Sequence, residues 1–321
     1  MMGKGEKDFS AKFRQALVNG DLEMLRQIPK GDRHIHASRG CARREFPLEQ
    51  QDRLVVPPAD GFGSLEQMQK WVDDHISPHF RGIDGWLAKI DGMFRSACAD
   101  GVVFVEPNFT LRDLEKFGSL GEFWRQIHGI YEKYAQFVVF SPCLSIRTRD
   151  DLDFTVPRVK KALDYGGFRA IDLCNQEGVR PYSAYRAAYD CAAYYGVRRK
   201  AHVGEFGTAE DVMEAITQLD LNEVQHGIAV VNSAEAMALA VDKGTHFHVC
   251  PASNIALHRA ADYGSHPIKV MVENGLHVTI GTDDLLVFDA TVSQQYLRLY
   301  QSGCLNVEQL DQIRINSLAV R

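Results

Sequence analysis

Short apolar runs alternate with stretches of helical periodicity along most of the chain. The runs are apolar at consecutive positions, which is typical of strands covered on both faces, and the stretches between them repeat apolar residues every three or four positions. Eight runs have the length of strands: residues 32–36, 102–106, 137–140, 168–173, 197–203, 222–226, 245–250 and 277–282. Because a closed parallel barrel covers both faces of every strand, we predict an α/β protein with a (β/α)8 barrel of the TIM type.

An open, doubly wound parallel sheet would produce a similar alternation. Such sheets usually bind phosphate through a glycine-rich turn after an early strand, and neither G-x-G-x-x-G nor G-x-x-x-x-G-K-[ST] occurs in this chain. The barrel is therefore the preferred prediction, and the open sheet is the alternative.

Two segments lie outside the alternation. Before the first strand, apolar residues follow helical spacing on both sides of Asn19-Gly20, so we predict N-terminal helices within residues 1–31. Residues 40–100 contain helical patterns but no clear strand. An insertion after a barrel strand usually lies over the active site, so we expect this one to act as a lid within a single domain spanning residues 1–321.

The composition is that of an ordinary globular protein. Of the 321 residues, 45% are hydrophobic and 24% are charged, and the formal net charge is −6 without a run of lysine or arginine. A nucleic-acid partner is not expected, since binding a polyanion needs a basic surface. The seven cysteines occur singly, without C-x-x-C spacing, which favours reduced thiols. We recognise no signal peptide and no membrane-spanning run, so we expect a cytoplasmic protein with a small-molecule substrate and no membrane partner. The sequence leaves the oligomeric state open.

The carboxyl ends of the predicted strands carry an unusual set of polar residues. The first strand ends in His34-Ile35-His36, and because strand side chains alternate between faces, both imidazoles point to the same side. Later strands end at or just before the other members of the set: His202, Glu205, His226, Asp283 and Asp284. Barrel enzymes place their chemistry at this face, so we predict that these side chains meet there.

Three imidazoles and one carboxylate form a nitrogen-rich ligand set, which suits one zinc ion per chain with an open position for water. Zinc lowers the pKa of that water towards ~7, and Glu205 and His226 are placed to move protons beside it. Taken alone, Glu205 could be a first-turn helix carboxylate and His226 a buried strand-end histidine. Five further histidines lie away from the strand ends and are interpreted as surface or capping residues: His75, His79, His128, His258 and His266.

These residues resemble the motifs of the adenosine deaminase family of the amidohydrolase superfamily. Six segments match in order and at similar separations: His34-Ile35-His36, His202-Val203-Gly204-Glu205, Gln225-His226-Gly227, Cys250-Pro251-Ala252-Ser253-Asn254, His266-Pro267 and Thr282-Asp283-Asp284. The resemblance implies zinc-dependent hydrolytic deamination of an aminopurine nucleoside, base or related amino-heterocycle, with release of ammonia.

The resemblance also implies a role for each residue of the set. The zinc ligands would be His34, His36, His202 and Asp283. Glu205 would protonate the purine ring, His226 would orient or deprotonate the zinc-bound water, and Asp284 would bond a second ring nitrogen.

The departures from the family pattern lie on the substrate side. Ser38 stands where the family usually has an aspartate that holds a ribose hydroxyl, Asn175 stands at a glycine that lets the purine approach, and Leu285 replaces a proline. Arg39 follows Ser38 and would favour an anionic or planar acceptor group, so we expect plain adenosine to be a poor substrate. The alternative is that Arg39 faces solvent or pairs with an acid of residues 40–100.

Two other functions stay open at this level. One is a different amidohydrolase reaction, such as amide or ester cleavage with two metal ions, although Ile171-Asp172-Leu173-Cys174 offers no bridging lysine. The other is a barrel that binds a ligand without catalysis, and the presence of Glu205 and His226 beside a full ligand set argues against it.

Overall fold

The chain folds into a nearly closed parallel barrel of eight strands surrounded by helices, which confirms the predicted fold class. The structure, a computed structural model, describes residues 4–319. Each strand pairs in parallel with the next one in the chain. The barrel strands are β1 (Lys30–His36), β2 (Val102–Thr110), β3 (Cys143–Arg147), β4 (Ala170–Cys174), β5 (Arg198–Val203), β6 (Glu223–His226), β7 (His246–Val249) and β8 (His277–Ile280).

The barrel closes between β1 and the residues that follow β8. A parallel bridge joins Ile35 to Asp283. The amide of His36 donates to the carbonyl of Asp283 at 3.0 Å, and the amide of Asp283 donates to the carbonyl of His34 at 2.8 Å. This seam therefore passes directly through three of the predicted site residues.

The third barrel strand lies later in the chain than predicted. We predicted it at residues 137–140, but only Val139–Phe140 pair with β2, and the longer part of the strand is β3. The two segments pair with β2 in one register, and Pro142 lies between them. Proline has no amide hydrogen to donate, so the strand is interrupted there, and the prediction stopped at the interruption.

Helices occupy the connections and both ends of the described chain, and many begin at a side-chain cap such as Thr208 before Ala209–Leu219. The α-helices are α1 (Lys4–Asn19), α2 (Leu22–Gln27), α3 (Leu48–Gln51), α4 (Leu65–His75), α5 (Gly82–Ala99), α6 (Leu111–Glu115), α7 (Leu120–Tyr131), α8 (Leu152–Tyr165), α9 (Arg186–Tyr194), α10 (Ala209–Leu219), α11 (Ala234–Lys243), α12 (Pro251–Ala256), α13 (Ile268–Glu273), α14 (Leu285–Phe288), α15 (Val292–Gln301) and α16 (Val307–Leu318). Short 3-10 helices occur at Arg43–Glu45, Ser77–His79, Tyr182–Tyr185 and Ile228–Asn232. Within residues 4–319, no helix is long and apolar enough to cross a membrane. The seven cysteines, predicted to be reduced, are free thiols.

The region between β1 and β2 is helical, as predicted, and has a small hydrophobic core of its own. Phe46, Phe62 and Val72 are among its buried side chains, and they pack with Leu257 and Leu286 from the loops that follow β7 and β8. The insertion therefore packs on the side of the barrel that carries the strand carboxyl ends.

The inside of the barrel is more polar than the apolar strand patterns suggested. Lys200 is fully buried, and its Nζ lies 3.0 Å from Glu106 Oε2 and 2.7 Å from Glu223 Oε2. The Nε2 atom of His248 lies 2.7 Å from the same Glu223 oxygen. These four residues form a buried charge network, which we call the interior network. Lys200 precedes His202 by two residues, so the network lies one layer deeper in the barrel than the predicted site.

Candidate metal centre and active site

The predicted site residues come together at the carboxyl ends of the barrel strands. His34 is fully buried, and its ring contacts the rings of His36, His202 and His226. A cavity of about 430 Å³ opens beside this cluster. We call it the main cavity. Its walls include the remaining predicted residues: His36, Ser38, Arg39, Asn175, His202, Glu205, His226, Asp283 and Asp284.

Four side chains point metal-ligating atoms at a common centre. The Nε2 atoms of His34 and His202 lie 3.1 Å apart. Asp283 Oδ1 lies 3.2 Å from His36 Nε2 and 3.6 Å from His34 Nε2. Zinc bonds nitrogen at about 2.0–2.1 Å, so two ligand atoms of a tetrahedral site are ~3.3 Å apart. The observed separations therefore fit a small tetrahedral ion.

The two buried imidazoles are oriented from behind by hydrogen bonds. His202 Nδ1 lies 2.9 Å from Asp172 Oδ2, and His34 Nδ1 lies 3.1 Å from the carbonyl oxygen of His248. A neutral imidazole that donates from Nδ1 presents its lone pair at Nε2, the atom that faces the centre. Burial also lowers the pKa of His34 well below its usual value, which keeps this ring neutral and able to bind a metal.

The strand ends adopt an unusual backbone conformation at three site residues. His226 and Asp283 have φ values of 58°, and Asn175 has a φ of 81°. Left-handed backbone is uncommon for residues with a Cβ, and Asn and Asp tolerate it best. It breaks the alternation of side chains at the strand end and turns these three side chains toward the main cavity, which they line.

Glu205 lies against the metal-type cluster and is held there by two neighbours. Asn254 Nδ2 lies 3.2 Å from Glu205 Oε1 and 3.2 Å from His226 Nδ1, so one amide bridges both side chains. His226 Nε2 in turn lies 3.5 Å from Glu205 Oε2 and 3.9 Å from Asp283 Oδ2.

The backbone that carries Glu205 is fixed by Glu177. The Glu177 carboxylate accepts four consecutive amide hydrogens, from residues 204 to 207, at 2.6, 2.9, 2.8 and 3.2 Å. We call these four residues the Glu205 loop. A Cβ at Gly204 would lie 2.4 Å from a methyl group of Val212, so this tight turn requires glycine. The loop is therefore held to one conformation by a single carboxylate.

The surroundings of Glu205 and Asp283 shift the pKa values of these two acids in opposite directions. Burial, with the charges of Asp283 and Glu177, raises the pKa of Glu205 well above its usual value, which favours the protonated form of this carboxyl. Burial acts in the same direction on Asp283, but the hydrogen bond from His36 and the surrounding imidazoles outweigh it and hold the pKa of Asp283 well below its usual value. Burial lowers the pKa of His226 to about 3. The pKa values of the two carboxyls are thus shifted in opposite directions.

On the substrate side, Asp284 offers an unused acceptor atom to the main cavity. Asp284 Oδ2 lies 2.8 Å from Arg39 Nη1, whereas Asp284 Oδ1 is buried without a hydrogen-bond partner among the described residues. Neither form of the alternative for Arg39 is observed. The side chain does not simply face solvent, and its salt bridge is with Asp284 and not with an acid of residues 40–100. Ser38 also lines the main cavity, as does the half-buried Asn175, which directly follows β4.

Three residues with clear structural roles had no role in the sequence prediction: Asp172, Glu177 and Asn254. Asp172 lies in the middle of β4 and Glu177 three residues beyond the end of this strand, so only Glu177 follows the strand-end rule that located the histidines. His266, interpreted as a surface or capping residue, is buried, and its Nδ1 accepts the amide of Ile268 at the start of α13. It therefore binds the first amide of α13 from a buried position but is neither a surface residue nor the N-cap, which is Pro267.

A second group of possible metal ligands lies deeper in the barrel. Atoms of Glu106, Glu223 and His248 are within 4.8 Å of one another. Lys200 already pairs with both of these carboxylates. We therefore interpret this group as the interior network rather than as a second metal site.

Comparisons with known proteins agree with this geometry. The family model described as adenosine deaminase matches residues 92–320. The chain is 29% identical over 312 residues to an adenosine deaminase of Clostridium botulinum, covering 92% of this chain and 94% of the relative.

Solved structures with the same fold are more distant in sequence. An adenine deaminase from Arthrobacter aurescens has a TM-score of 0.77 at 21% identity, covering 91% of this chain and 94% of the other. An amidohydrolase from Burkholderia ambifaria with bound Zn has a TM-score of 0.74 at 18% identity, covering 99% and 88%. The family model covers well over half of the chain and includes most of the strand-end residues described above. The chain therefore belongs to the adenosine deaminase family and is a hydrolase acting on carbon–nitrogen bonds.

Proposed function

We propose that this protein is a zinc-dependent hydrolase that removes the amino group of an aminopurine nucleoside, base or related amino-heterocycle and releases ammonia. The observation that carries the proposal is the pairing of four clustered ligand-type side chains with a buried Glu205, whose pKa is raised, at the wall of one cavity. Amide or ester cleavage would not need a buried acid placed to protonate a heterocycle.

In this proposal His34, His36, His202 and Asp283 hold one zinc ion. Three nitrogens and one carboxylate oxygen suit zinc better than a hard cation, which prefers oxygen ligands. When bound, zinc supplies a water with a lowered pKa and so a nucleophile at neutral pH. Asp172 keeps His202 in the tautomer that zinc binding needs.

The chain's own residues supply the protons and the orientation. Protonated Glu205 donates to a ring nitrogen of the heterocycle, which makes the neighbouring ring carbon electrophilic. His226, held through Asn254, orients or deprotonates the attacking water. The unused Oδ1 of Asp284 accepts an N–H of the ring or its amino group.

The rest of the main cavity would set the substrate preference. Ser38 and Asn175 lie on the walls where the substituent of the ring would extend. We propose that the segment 40–100 serves as the lid of a single domain, because Leu65, Met68 and Asp73 of α4 also line this cavity. We also propose that the protein is cytoplasmic.

The direct test combines metal analysis with ammonia release. The purified protein should contain about one zinc per chain and release ammonia from at least one member of a panel of adenine, adenosine, deoxyadenosine, 5′-substituted adenosines, guanine and aminopterins. His202→Ala should lose most of the metal and the activity, whereas His128→Ala, at an exposed position on α7, should change neither. Two tightly bound ions, or ester or amide cleavage without deamination, would contradict the proposal.

A further inference from the structure

A second cavity lies on the other side of one wall of the main cavity. Its volume is about 470 Å³. The two cavities share four lining residues, which form the partition between them: Ser38, Arg39, Asp113 and Lys116. We call this second space the side chamber.

The side chamber is lined by apolar side chains and by a cation of the insertion. Its apolar lining comes from the insertion: Val72, Ile76, Phe80, Ile83 and Trp86. The cation is Lys89 of α5, whose Nζ lies 5.4 Å from the ring centroid of Phe80.

Lys89 forms no salt bridge with the side chains that the structure describes, although the charge of Asp113 acts on it. It makes none of the observed salt bridges, and Phe80 is its recorded contact. Burial lowers the pKa of Lys89, so its charge is poorly solvated in this position. A partly buried ammonium beside a cavity binds an anion favourably, because the anion restores a charge-assisted hydrogen bond that water supplies incompletely.

The other cations of the partition are already paired. Arg39 is neutralised by Asp284 at 2.8 Å, and Lys116 lies 3.2 Å from Asp113 Oδ1. Of the three lysines and arginines that line the side chamber, Lys89 is therefore the one without a salt bridge among the described residues.

We propose that the side chamber receives the substituent of the substrate's heterocycle, and that this substituent has an apolar stem and an anionic end that pairs with Lys89. The idea rests on the proposed function, since it assumes that the ring lies beside Glu205 in the main cavity. Ser38 lines both cavities and has a small side chain, and in this proposal the substituent passes beside it. A carboxylate and a phosphate share the required chemistry, and the test separates them.

The test compares substrates that differ only in charge. A series of 9-(ω-carboxyalkyl)adenines with two to five methylene groups is assayed against the matching carboxamides, with adenine, adenosine and adenosine 5′-phosphate alongside. In the wild-type protein we expect kcat/KM for the best carboxylate to exceed that of its carboxamide about tenfold or more, since hydrogen bonds to charged groups contribute about 1.5–3 kcal/mol. In Lys89→Gln this ratio should fall below about threefold, with kcat/KM for adenine unchanged.

The matched control is Lys70→Gln, because Lys70 is an exposed lysine on α4 that pairs with Asp74. It should leave the ratio as in the wild type. A ratio unaffected by Lys89→Gln, or equally affected by Lys70→Gln, would overturn the inference. A strong preference for adenosine 5′-phosphate that Lys89→Gln removes would identify phosphate as the anion.

The experiments distinguish failure of the proposed function from failure of the side-chamber inference. Ammonia from adenine or adenosine without any charge preference would leave the proposed function standing and remove only the side-chamber inference. If none of the compounds is deaminated, calorimetric binding of the 9-(ω-carboxyalkyl)hypoxanthines to wild type and Lys89→Gln still decides the role of Lys89. Equal affinities would then contradict it.

Discussion

At the scale of single residues, the surroundings of two neighbouring carboxyls shift their pKa values in opposite directions. Glu205 and Asp283 are both buried, and burial alone would protonate both. His36 donates to Asp283, whereas Glu205 receives one amide hydrogen bond from Asn254 and faces the negative charges of Asp283 and Glu177. The difference in partners therefore explains the opposite shifts, which are those that the proposed acid and the proposed metal ligand need.

Replacing this acid tests its role directly. Glu205→Gln should keep the bound metal but lose about 10²–10⁴-fold in turnover, because an amide preserves the shape and cannot deliver the proton. The control is Glu210→Gln in the first turn of α10, which should retain wild-type activity. If Glu205→Gln keeps more than about a tenth of the wild-type rate, Glu205 is not the proton donor.

The sequence predicted which side chains meet at the strand ends better than it predicted the residues that support them. His34 and His36 could be paired from the two-residue period of a strand, which depends only on local geometry. The contacts of Asp172 with His202 and of Asn254 with Glu205 join different elements of the fold, and no local pattern encodes such pairs. The partner of Arg39 was missed for the same reason.

At the scale of elements, the Glu205 loop shows how a short turn can be made rigid. Four consecutive amides point at one carboxylate, which leaves the turn little freedom to reposition Glu205. The elements themselves were predictable where apolar runs were uninterrupted. The third strand was not, because Pro142 divides it and Phe137 and Val139, which suggested a buried strand, are exposed.

Glu177→Gln should loosen this turn without removing any group proposed to touch substrate. A glutamine offers one acceptor oxygen where the carboxylate offers two, and its amide hydrogens meet amide hydrogens. We expect kcat to fall about 10–100-fold, since small misplacements of a reacting group carry penalties of that order, with metal content and KM little changed. Glu214→Gln, which alters a carboxylate that accepts the amide of Tyr182 at 3.3 Å, is the matched control. A large loss of metal in Glu177→Gln would assign Glu177 to folding rather than to positioning.

At the scale of the whole molecule, the barrel is filled partly by charge. The interior network buries a lysine between two glutamates, and Arg33 and Arg198 add further contacts to Glu106. Buried ion pairs contribute little net stability, but breaking one leaves a charge without its partner. The network therefore fixes the packing of the barrel.

Lys200→Met should destabilise the fold by about 3–5 kcal/mol, as expected when one partner of a buried pair is removed. The measurement is the free energy of unfolding from urea titration at pH 7. Lys12→Met, which removes an exposed helix pair with Asp8, should change it by less than about 0.5 kcal/mol. Equal effects of the two substitutions would mean that Lys200 is not part of a functioning ion pair.

A second buried lysine predicts how stability depends on pH. Burial lowers the pKa of Lys30 from 10.5 to about 8, although the charge of Asp100 opposes this shift. Between these two values the unfolded chain holds a proton that the folded protein has released, so raising the pH favours the folded state. Relative to Lys30→Met, the wild type should gain about 2 kcal/mol of unfolding free energy between pH 8 and pH 10. Parallel pH profiles for the two proteins would contradict the assignment.

The seam between β1 and Asp283 links the candidate metal centre to the closure of the barrel. The backbone atoms that close the barrel belong to His34, His36 and Asp283, and the joined segments are about 250 residues apart in the chain. Bringing such distant segments together has an entropic cost of loop closure. An ion bound to both segments would stabilise the joined state. Removing the ion with a chelator should therefore accelerate hydrogen–deuterium exchange at the amides of His36 and Asp283 first, while the β4–β5 amides exchange as slowly as before.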